Sequence, residues 1–181
     1  MRLTRQSKSD TLPVSADSLK RHLNIDYARD DDYLTLCIQA ADERIEAETD
    51  RAFVDQSWTL SCGSFAGRIY LPKPPLSGTP VIKYYDNDNE LQTVSSEDYY
   101  TVGSDNEQGY VETADSWPNT YTRPDAVQIT YSAGSTTSQI YIHAVKLIAG
   151  AFYDGEFGQI PSALQPTIDR LINLLKQGRY N

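Results

Sequence analysis

Apolar residues recur at helical spacing in the first third of the chain. Beyond the Asp30-Asp31-Asp32 run, one face carries Leu34, Ile38 and Ile45 while polar residues occupy the other, which predicts an amphipathic helix ending near Thr49. Acidic residues at a helix start complement the helix dipole, although the same run could also face a basic partner.

Three further helices follow from the same periodicity. Ser15 is a suitable N-cap for a short helix through Leu23. A broad apolar face returns after Ser138 and continues to Phe152, and a loop follows at Asp154 to Gly158. The last helix begins between residues 161 and 166, and its apolar side consists of Leu164, Ile168, Leu171, Ile172, Leu174 and Leu175.

The middle of the chain has a different pattern. Short runs of β-branched and aromatic residues alternate with clusters of Gly, Pro, Asn and Asp, which predicts antiparallel strands. The segment Tyr84 to Leu91 is predicted to be a hairpin with an Asp/Asn tip. The prolines between Leu71 and Pro75 lack amide donors, so this stretch is a rigid connector or an edge. The predicted strands are Trp58 to Ser61, Arg68 to Leu71, Val81 to Tyr85, Leu91 to Val94, Tyr99 to Val102 and Val127 to Tyr131.

Together these patterns predict an α+β fold, in which a helical bundle built from the N- and C-terminal segments carries an inserted antiparallel β-domain. Residues 13–52 and 135–181 form the helical core, and 53–134 the β-rich insertion. The polar, aperiodic residues 1–12 are expected to be a flexible arm. No apolar run is long enough to cross a bilayer or act as a secretory signal, so we expect no membrane contact and folding in the cytoplasm.

Charge and cysteine content narrow the function. With 16 Lys and Arg against 25 Asp and Glu, the net charge of −9 argues against a protein that wraps nucleic acid. An acidic protein beside DNA would repel the duplex, as a conduit requires. The cysteines Cys37 and Cys62 match no zinc spacing and are too few for a disulfide scaffold, so reduced thiols are expected.

Catalytic signatures are weak. The histidines are His22 and His143, and the serine of Cys62 to Gly67 is displaced by one position from a nucleophile elbow. No phosphate-binding glycine loop occurs, although a catalytic triad assembled in space leaves no mark in the sequence. Asp86, Asp88, Glu90 and Glu97 fall on EF-hand ligand positions, but Leu91 stands where the loop needs glycine, which favours a solvated hairpin tip over a metal site.

Tyrosine content is the more suggestive feature. Thirteen tyrosines are present, many of them in the β-rich insertion. Tyrosine is enriched at protein interfaces because it combines apolar area with a polar tip. It is also a good strand residue, and the burial of these side chains within the subunit separates the two interpretations.

The order of segments resembles the head–tail connector (adaptor) family of tailed double-stranded DNA phages, in the variety with a β-insert. The resemblance spans residues 13–181 and lies in the order and spacing of structural segments. These segments are Ser18 to Ile25, Asp30 to Asp32, Ile38 to Glu46, Ile69 to Pro75, Val81 to Asp86, Trp117-Pro118, Val127 to Gly134, Phe152-Tyr153 and Ile160 to Leu164.

The resemblance implies a structural virion protein and not an enzyme, with no catalytic residue and no cofactor. Its subunits would form a ring, expected to be a dodecamer, between the portal protein and a stopper or tail-completion protein. DNA would pass through without sequence-specific binding, and the subunit would fold in the host bacterial cytoplasm. The alternatives are another head- or tail-completion protein of the same particle, a small hydrolase, or a host-directed binding module that uses the β-insert.

Candidate partner-binding residues fall into two groups. The hairpin supplies one group, and the C-terminal helix, which would reach toward the portal, supplies the other. Ordinary packing within the bundle is the alternative for the helix, because apolar helix faces usually serve their own core. The candidates are Tyr84, Tyr85, Asp86 and Asp88 in the hairpin, and Leu171, Leu175, Arg179 and Tyr180 in or after the helix.

Overall fold

A computed structural model describes residues 1–26, 30–103, 108–134, 138–155 and 160–177. Helices precede and follow a run of strands, which confirms the predicted α+β class. The elements are β1 (Arg2–Lys8), α1 (Ala16–Leu23), α2 (Asp31–Thr49), β2 (Gln56–Cys62), β3 (Arg68–Tyr70), β4 (Leu76–Tyr85), β5 (Leu91–Thr93), β6 (Tyr99–Val102), β7 (Tyr110–Thr113), β8 (Val127–Ala133), α3 (Gln139–Asp154) and α4 (Gln165–Lys176).

The chain divides into two compact units. The β unit contains residues 1–9 and 52–135, and the helical unit contains residues 10–51 and 136–181. No helix in the described ranges has both the length and the apolar character needed to cross a bilayer.

In the helical unit, α2 packs against α1, α3 and α4. The predicted N-cap at Ser15 is confirmed, and the structure shows a second serine cap at Ser138. The Ser15 hydroxyl accepts a hydrogen bond from the Ser18 amide at 3.2 Å, and the Ser138 hydroxyl accepts one from the Tyr141 amide at 3.3 Å. Each satisfies an amide that the helix itself leaves without a partner. Fully buried side chains of the core include Leu19, Leu34, Ile38, Ile45, Ile148, Ile168 and Leu175.

The same core contains polar groups. The Tyr141 hydroxyl donates a hydrogen bond to the carboxylate of Asp42, and both residues are buried. Burial, followed by the negative charge of Asp42, raises the pKa of Tyr141 well above its ordinary value. The tyrosine therefore stays protonated and serves as a donor inside the bundle.

The β unit contains two antiparallel sheets. One has five strands in the order β1-β2-β8-β4-β5, and the other has three in the order β3-β7-β6. Their inward side chains share one core that includes Leu60, Ile69, Ile82, Val111 and Ile129. The proline-rich stretch is a connector between β3 and β4, as one of the two predicted alternatives had it.

The N-terminal residues differ from the predicted flexible arm. Residues Arg2–Lys8 form β1, which pairs antiparallel with β2 from Arg2 opposite Ser61 to Lys8 opposite Gln56. Leu3 packs against the core of the β unit, while most of the other side chains in the strand are exposed. An edge strand is held by main-chain hydrogen bonds on one side, so it needs no alternation of apolar residues that sequence periodicity would reveal.

Candidate assembly surfaces

The predicted hairpin is confirmed, and Asp86 builds its turn. Strands β4 and β5 pair from Lys83 opposite Thr93 to Tyr85 opposite Leu91. One carboxylate oxygen of Asp86 accepts hydrogen bonds from the amides of Asp88 and Glu90, each at 3.0 Å, and the other accepts from the Gln92 side-chain amide at 2.8 Å. The Glu90 amide, then the Gln92 side chain, lower the pKa of Asp86.

The hairpin acids are therefore structural at Asp86 and exposed at Asp88. The described residues contain no group of three or more His, Cys, Asp or Glu side chains placed to hold a metal ion. Asp86 satisfies the turn amides through its own carboxylate, as Asx turns do. Of the two acids proposed for partner binding, Asp88 is the one with an exposed side chain at the tip.

The two hairpin tyrosines make contacts within the β unit. The ring of Tyr84 lies 5.8 Å from that of Phe65, and both rings are half-buried. The guanidinium of Arg123 lies 3.7 Å from the ring centre of Tyr85 and also donates hydrogen bonds to the Asp125 carboxylate at 2.7 and 2.9 Å. A partner role for either tyrosine stays a prediction.

An aromatic surface lies on the outer side of the three-stranded sheet. In one row of facing residues Tyr70, Tyr110 and Val102 are neighbours, and in the next row Arg68, Glu112 and Tyr100 are neighbours. We call these six residues the aromatic face. Tyr70, Tyr100 and Val102 are 50%, 63% and 44% exposed.

Contacts within the aromatic face order its side chains. The rings of Tyr70 and Tyr110 are 5.6 Å apart, and the Arg68 guanidinium lies 5.0 Å from the Tyr110 ring. Arg68 also pairs with Glu112 at 3.1 Å, and this contact raises the pKa of Arg68. Tyrosine and arginine, held in place on a rigid sheet, are the residues that dominate binding energy at protein interfaces.

Sequence reasoning missed this surface because it missed β7. The runs at Arg68 and Tyr99 are predicted strands, and in the structure Tyr70 and Tyr100 each follow a buried residue and are exposed. The strand that joins them, Tyr110–Thr113, is only four residues long and contains an acidic residue. Burial now divides the tyrosines: Tyr99, Tyr131 and Tyr141 belong to the cores, whereas Tyr33, Tyr70, Tyr100 and Tyr121 are exposed.

The β unit also has a cleft of about 360 Å³, which bears on the alternative of an enzyme. Its lining includes Tyr84, Asp98, Asp115 and Trp117. Both histidines of the chain lie in the helical unit, exposed on α1 and α3. No histidine is among the described residues that line this cleft.

The C-terminal candidates divide between core and surface. Leu175 is fully buried in the helical unit, so its apolar side chain serves the packing of that unit in this structure. Leu171 is half-buried on the same helix, and a partner role for it stays a prediction. The predictions for Arg179 and Tyr180 lie outside the described residues.

Comparison with known proteins identifies the class of protein to which this fold belongs. A family model described as "Phage gp6-like head-tail connector protein" matches residues 15–117, more than half of the 181 residues. The chain therefore belongs to this family and is a structural connector protein of the phage type. No curated protein sequence matches it significantly.

Solved structures share its fold over nearly its whole length. A chain in the virion of a native gene transfer agent (GTA) particle aligns with a TM-score of 0.75 and 19% identity, covering 96% of this chain and 94% of that one. A chain in the neck of an empty GTA particle, computed with C6 symmetry, aligns with a TM-score of 0.74 and 19% identity, covering 94% of this chain and 95% of that one. A chain in the neck of a native GTA particle, computed with C12 symmetry, aligns with a TM-score of 0.73 and 18% identity, and the alignment covers 94% of each chain.

Proposed function

We propose that this chain is one subunit of a ring that joins the head of a phage-type particle to its tail and encloses the path of the DNA. The observation that carries the proposal is the family match combined with a shared fold over at least 94% of the chain. A ring of twelve copies is consistent with necks computed under either C12 or C6 symmetry, because twelvefold symmetry contains sixfold symmetry.

The partners of the ring are further copies of the chain, the portal protein on the head side, and a stopper or tail-completion protein on the tail side. We place the subunit in the virion neck after folding in the host cytoplasm. The aromatic face supports a protein contact, since Tyr70, Tyr100 and Arg68 give it the composition of an interface centre. The hairpin residues and Leu171 are further candidates for these contacts.

The proposed role is structural, with no catalysis and no cofactor. The acidic balance of the chain, −9 overall, favours a lumen along which DNA moves without being held. Neutralised phosphates are what hold DNA to a protein, and a carboxylate-rich wall neutralises none.

The test is the mass of the purified protein in solution, measured by light scattering on a sizing column with and without purified portal protein. We expect a closed ring, or a ring that forms only on the portal. A monomer that remains a monomer when the portal is added would contradict the proposal.

The aromatic face provides a sharper version of this test. Tyr70→Ser combined with Tyr100→Ser should leave the fold intact, because both side chains are exposed, and should weaken assembly on the portal at least tenfold, which corresponds to about 1.4 kcal/mol. The matched control is Tyr121→Ser, since Tyr121 is 44% exposed and lies outside this face. Equal assembly by the double variant and the control would remove the aromatic face from the interface.

A further inference from the structure

The two edges of the five-stranded sheet carry opposite charge. Strand β1, at one edge, has the sequence RLTRQSK, with three basic residues and no acidic one. Arg2 and Arg5 are exposed, and Lys8 is half-buried. A strand this basic is unusual in a chain whose acidic residues outnumber its basic ones by 25 to 16.

The opposite edge is acidic. Strand β5 is preceded by Asp88 and Glu90 and followed by Glu97 and Asp98, and Asp115 lines the same cleft as Thr93 and Asp98. All five carboxylates are exposed, and in the part of the chain that the structure describes none forms an ion pair. We call these five residues the acidic corner. Leu91, which is 49% exposed, adds an apolar contact beside them.

These two charged edges cannot neutralise each other within one subunit. Three strands separate β1 from β5, so at a strand spacing of about 4.8 Å the edges are about 19 Å apart. An ion pair requires nitrogen and oxygen atoms within about 4 Å of each other. The complementary charges can meet between two copies, in a head-to-tail contact of the kind that closes a ring.

We infer that β1 of one copy binds along the acidic corner of the next copy, with Arg2 and Arg5 facing its carboxylates. The inference rests on the proposed ring. As outermost strands, β1 and β5 each have a single neighbouring strand in the described sheet, and an edge strand is where another copy can add its own strand. Arginine suits such a contact because its planar guanidinium pairs with carboxylates through two parallel hydrogen bonds.

Charge reversal tests this contact. Arg2→Glu with Arg5→Glu should weaken ring assembly more than tenfold, as should Glu97→Lys with Asp98→Lys, and combining all four changes should restore it. The matched control is Arg21→Glu with Arg170→Glu, which alters net charge equally at exposed positions of the helical unit. Assembly that is equally impaired by the control would overturn the inference, and so would a combined variant that is no better than either double variant.

A disulfide bond distinguishes failure of this contact from failure of the ring. With the half-exposed Cys62 changed to serine, Arg5→Cys and Asp98→Cys in the same chain should cross-link copies into a ladder under mild oxidation, whereas either cysteine alone should not. Rings that assemble without cross-links would overturn this contact and leave the proposed function standing. A parent protein that never assembles, even with the portal, would overturn both.

Discussion

The two units treat their apolar side chains differently. Nine large apolar side chains are exposed among the described residues, and the helical unit holds two of them, Tyr33 and Leu36. The other seven lie in the β unit, including Tyr70, Tyr100 and Val102 of the aromatic face. A cluster of exposed apolar residues is typical of a contact surface, and the aromatic face of the β unit is such a cluster.

Polar residues show the reverse distribution. The described part of the helical unit contains four buried polar or charged residues, Asp42, Glu46, Thr49 and Arg51. Among the described residues of the β unit, one polar residue, Gln56, is buried. Buried polar groups that are hydrogen-bonded favour one packing over its alternatives, because a shifted helix would leave them unsatisfied. Among the described residues, buried polar groups are thus concentrated in the helical unit and exposed apolar groups in the β unit.

The largest effect is expected from Gly134→Ala in the β unit. Gly134 has a φ of +104°, and a Cβ atom there would lie 2.1 Å from the carbonyl oxygen of Val54, a main-chain atom that cannot rotate away. Strain and overlap together should cost at least about 3 kcal/mol of the free energy of unfolding. Chemical denaturation followed by far-UV circular dichroism measures this loss.

Gly67→Ala is the matched control for this substitution. A Cβ atom at Gly67 would meet nothing within 4 Å, and its φ lies outside the left-handed region. The control should change the free energy of unfolding by no more than about 0.5 kcal/mol. A Gly134→Ala variant as stable as this control would show that the close approach to Val54 does not constrain the β unit.

A smaller effect is expected in the helical unit from Tyr141→Phe. The change keeps the ring but removes the hydrogen bond donated to the buried Asp42 carboxylate, which should cost about 1–3 kcal/mol. Tyr33→Phe is the control, since Tyr33 is 46% exposed and its hydroxyl makes a long 3.4 Å contact with the Phe152 carbonyl. Equal stability of the two variants would contradict a structural role for the buried pair.

The pH dependence of stability provides a second measurement on Tyr141. Its pKa is raised in the folded state, so above about pH 10 the unfolded chain releases the tyrosine proton while the folded chain retains it. The folded state then binds more protons than the unfolded state. This residue therefore lowers the free energy of unfolding by up to about 1.4 kcal/mol for each further pH unit. Tyr141→Phe should flatten that alkaline decline, and an unchanged slope would show that Tyr141 ionises normally.

Periodicity was sufficient for the helices and for most strands. Serine side chains at Ser15 and Ser138 cap the starts of α1 and α3. In β8 every second side chain is buried, as the alternation of residue types in the sequence predicts. Strands β1 and β7 were not predicted, because they are held by main-chain hydrogen bonds to strands distant in the sequence, which leave no local pattern of residue types.

The candidate contact residues were harder to predict than the fold. Leu175 and Leu171 belong to the same apolar stripe of α4, and only the packed structure distinguishes the buried one from the half-buried one. The aromatic face requires three strands to meet in register, and the opposed charges of β1 and the acidic corner require the strand order of the sheet. Both surfaces are properties of topology, which a single sequence does not specify.

The smallest effect separates the two hairpin acids. Asp86→Ala should lower the thermal midpoint slightly and speed amide exchange at Asp88 and Glu90, since both amides donate to the Asp86 carboxylate. Asp88→Ala should leave the midpoint and these exchange rates nearly unchanged, because its side chain is exposed at the tip. If the hairpin tip contacts a partner, Asp88→Ala should weaken assembly although the stability of the subunit is unchanged.

Acid titration provides the decisive form of this last test. The pKa of Asp86 is lowered in the folded state, so its contribution to stability is complete above its unfolded pKa of about 4 and is lost as pH falls through the lower folded value. The difference in thermal midpoint between the wild type and Asp86→Ala should therefore shrink as the solution is acidified below about pH 4. A difference that persists unchanged into strong acid would show that the ionised carboxylate does not hold the turn.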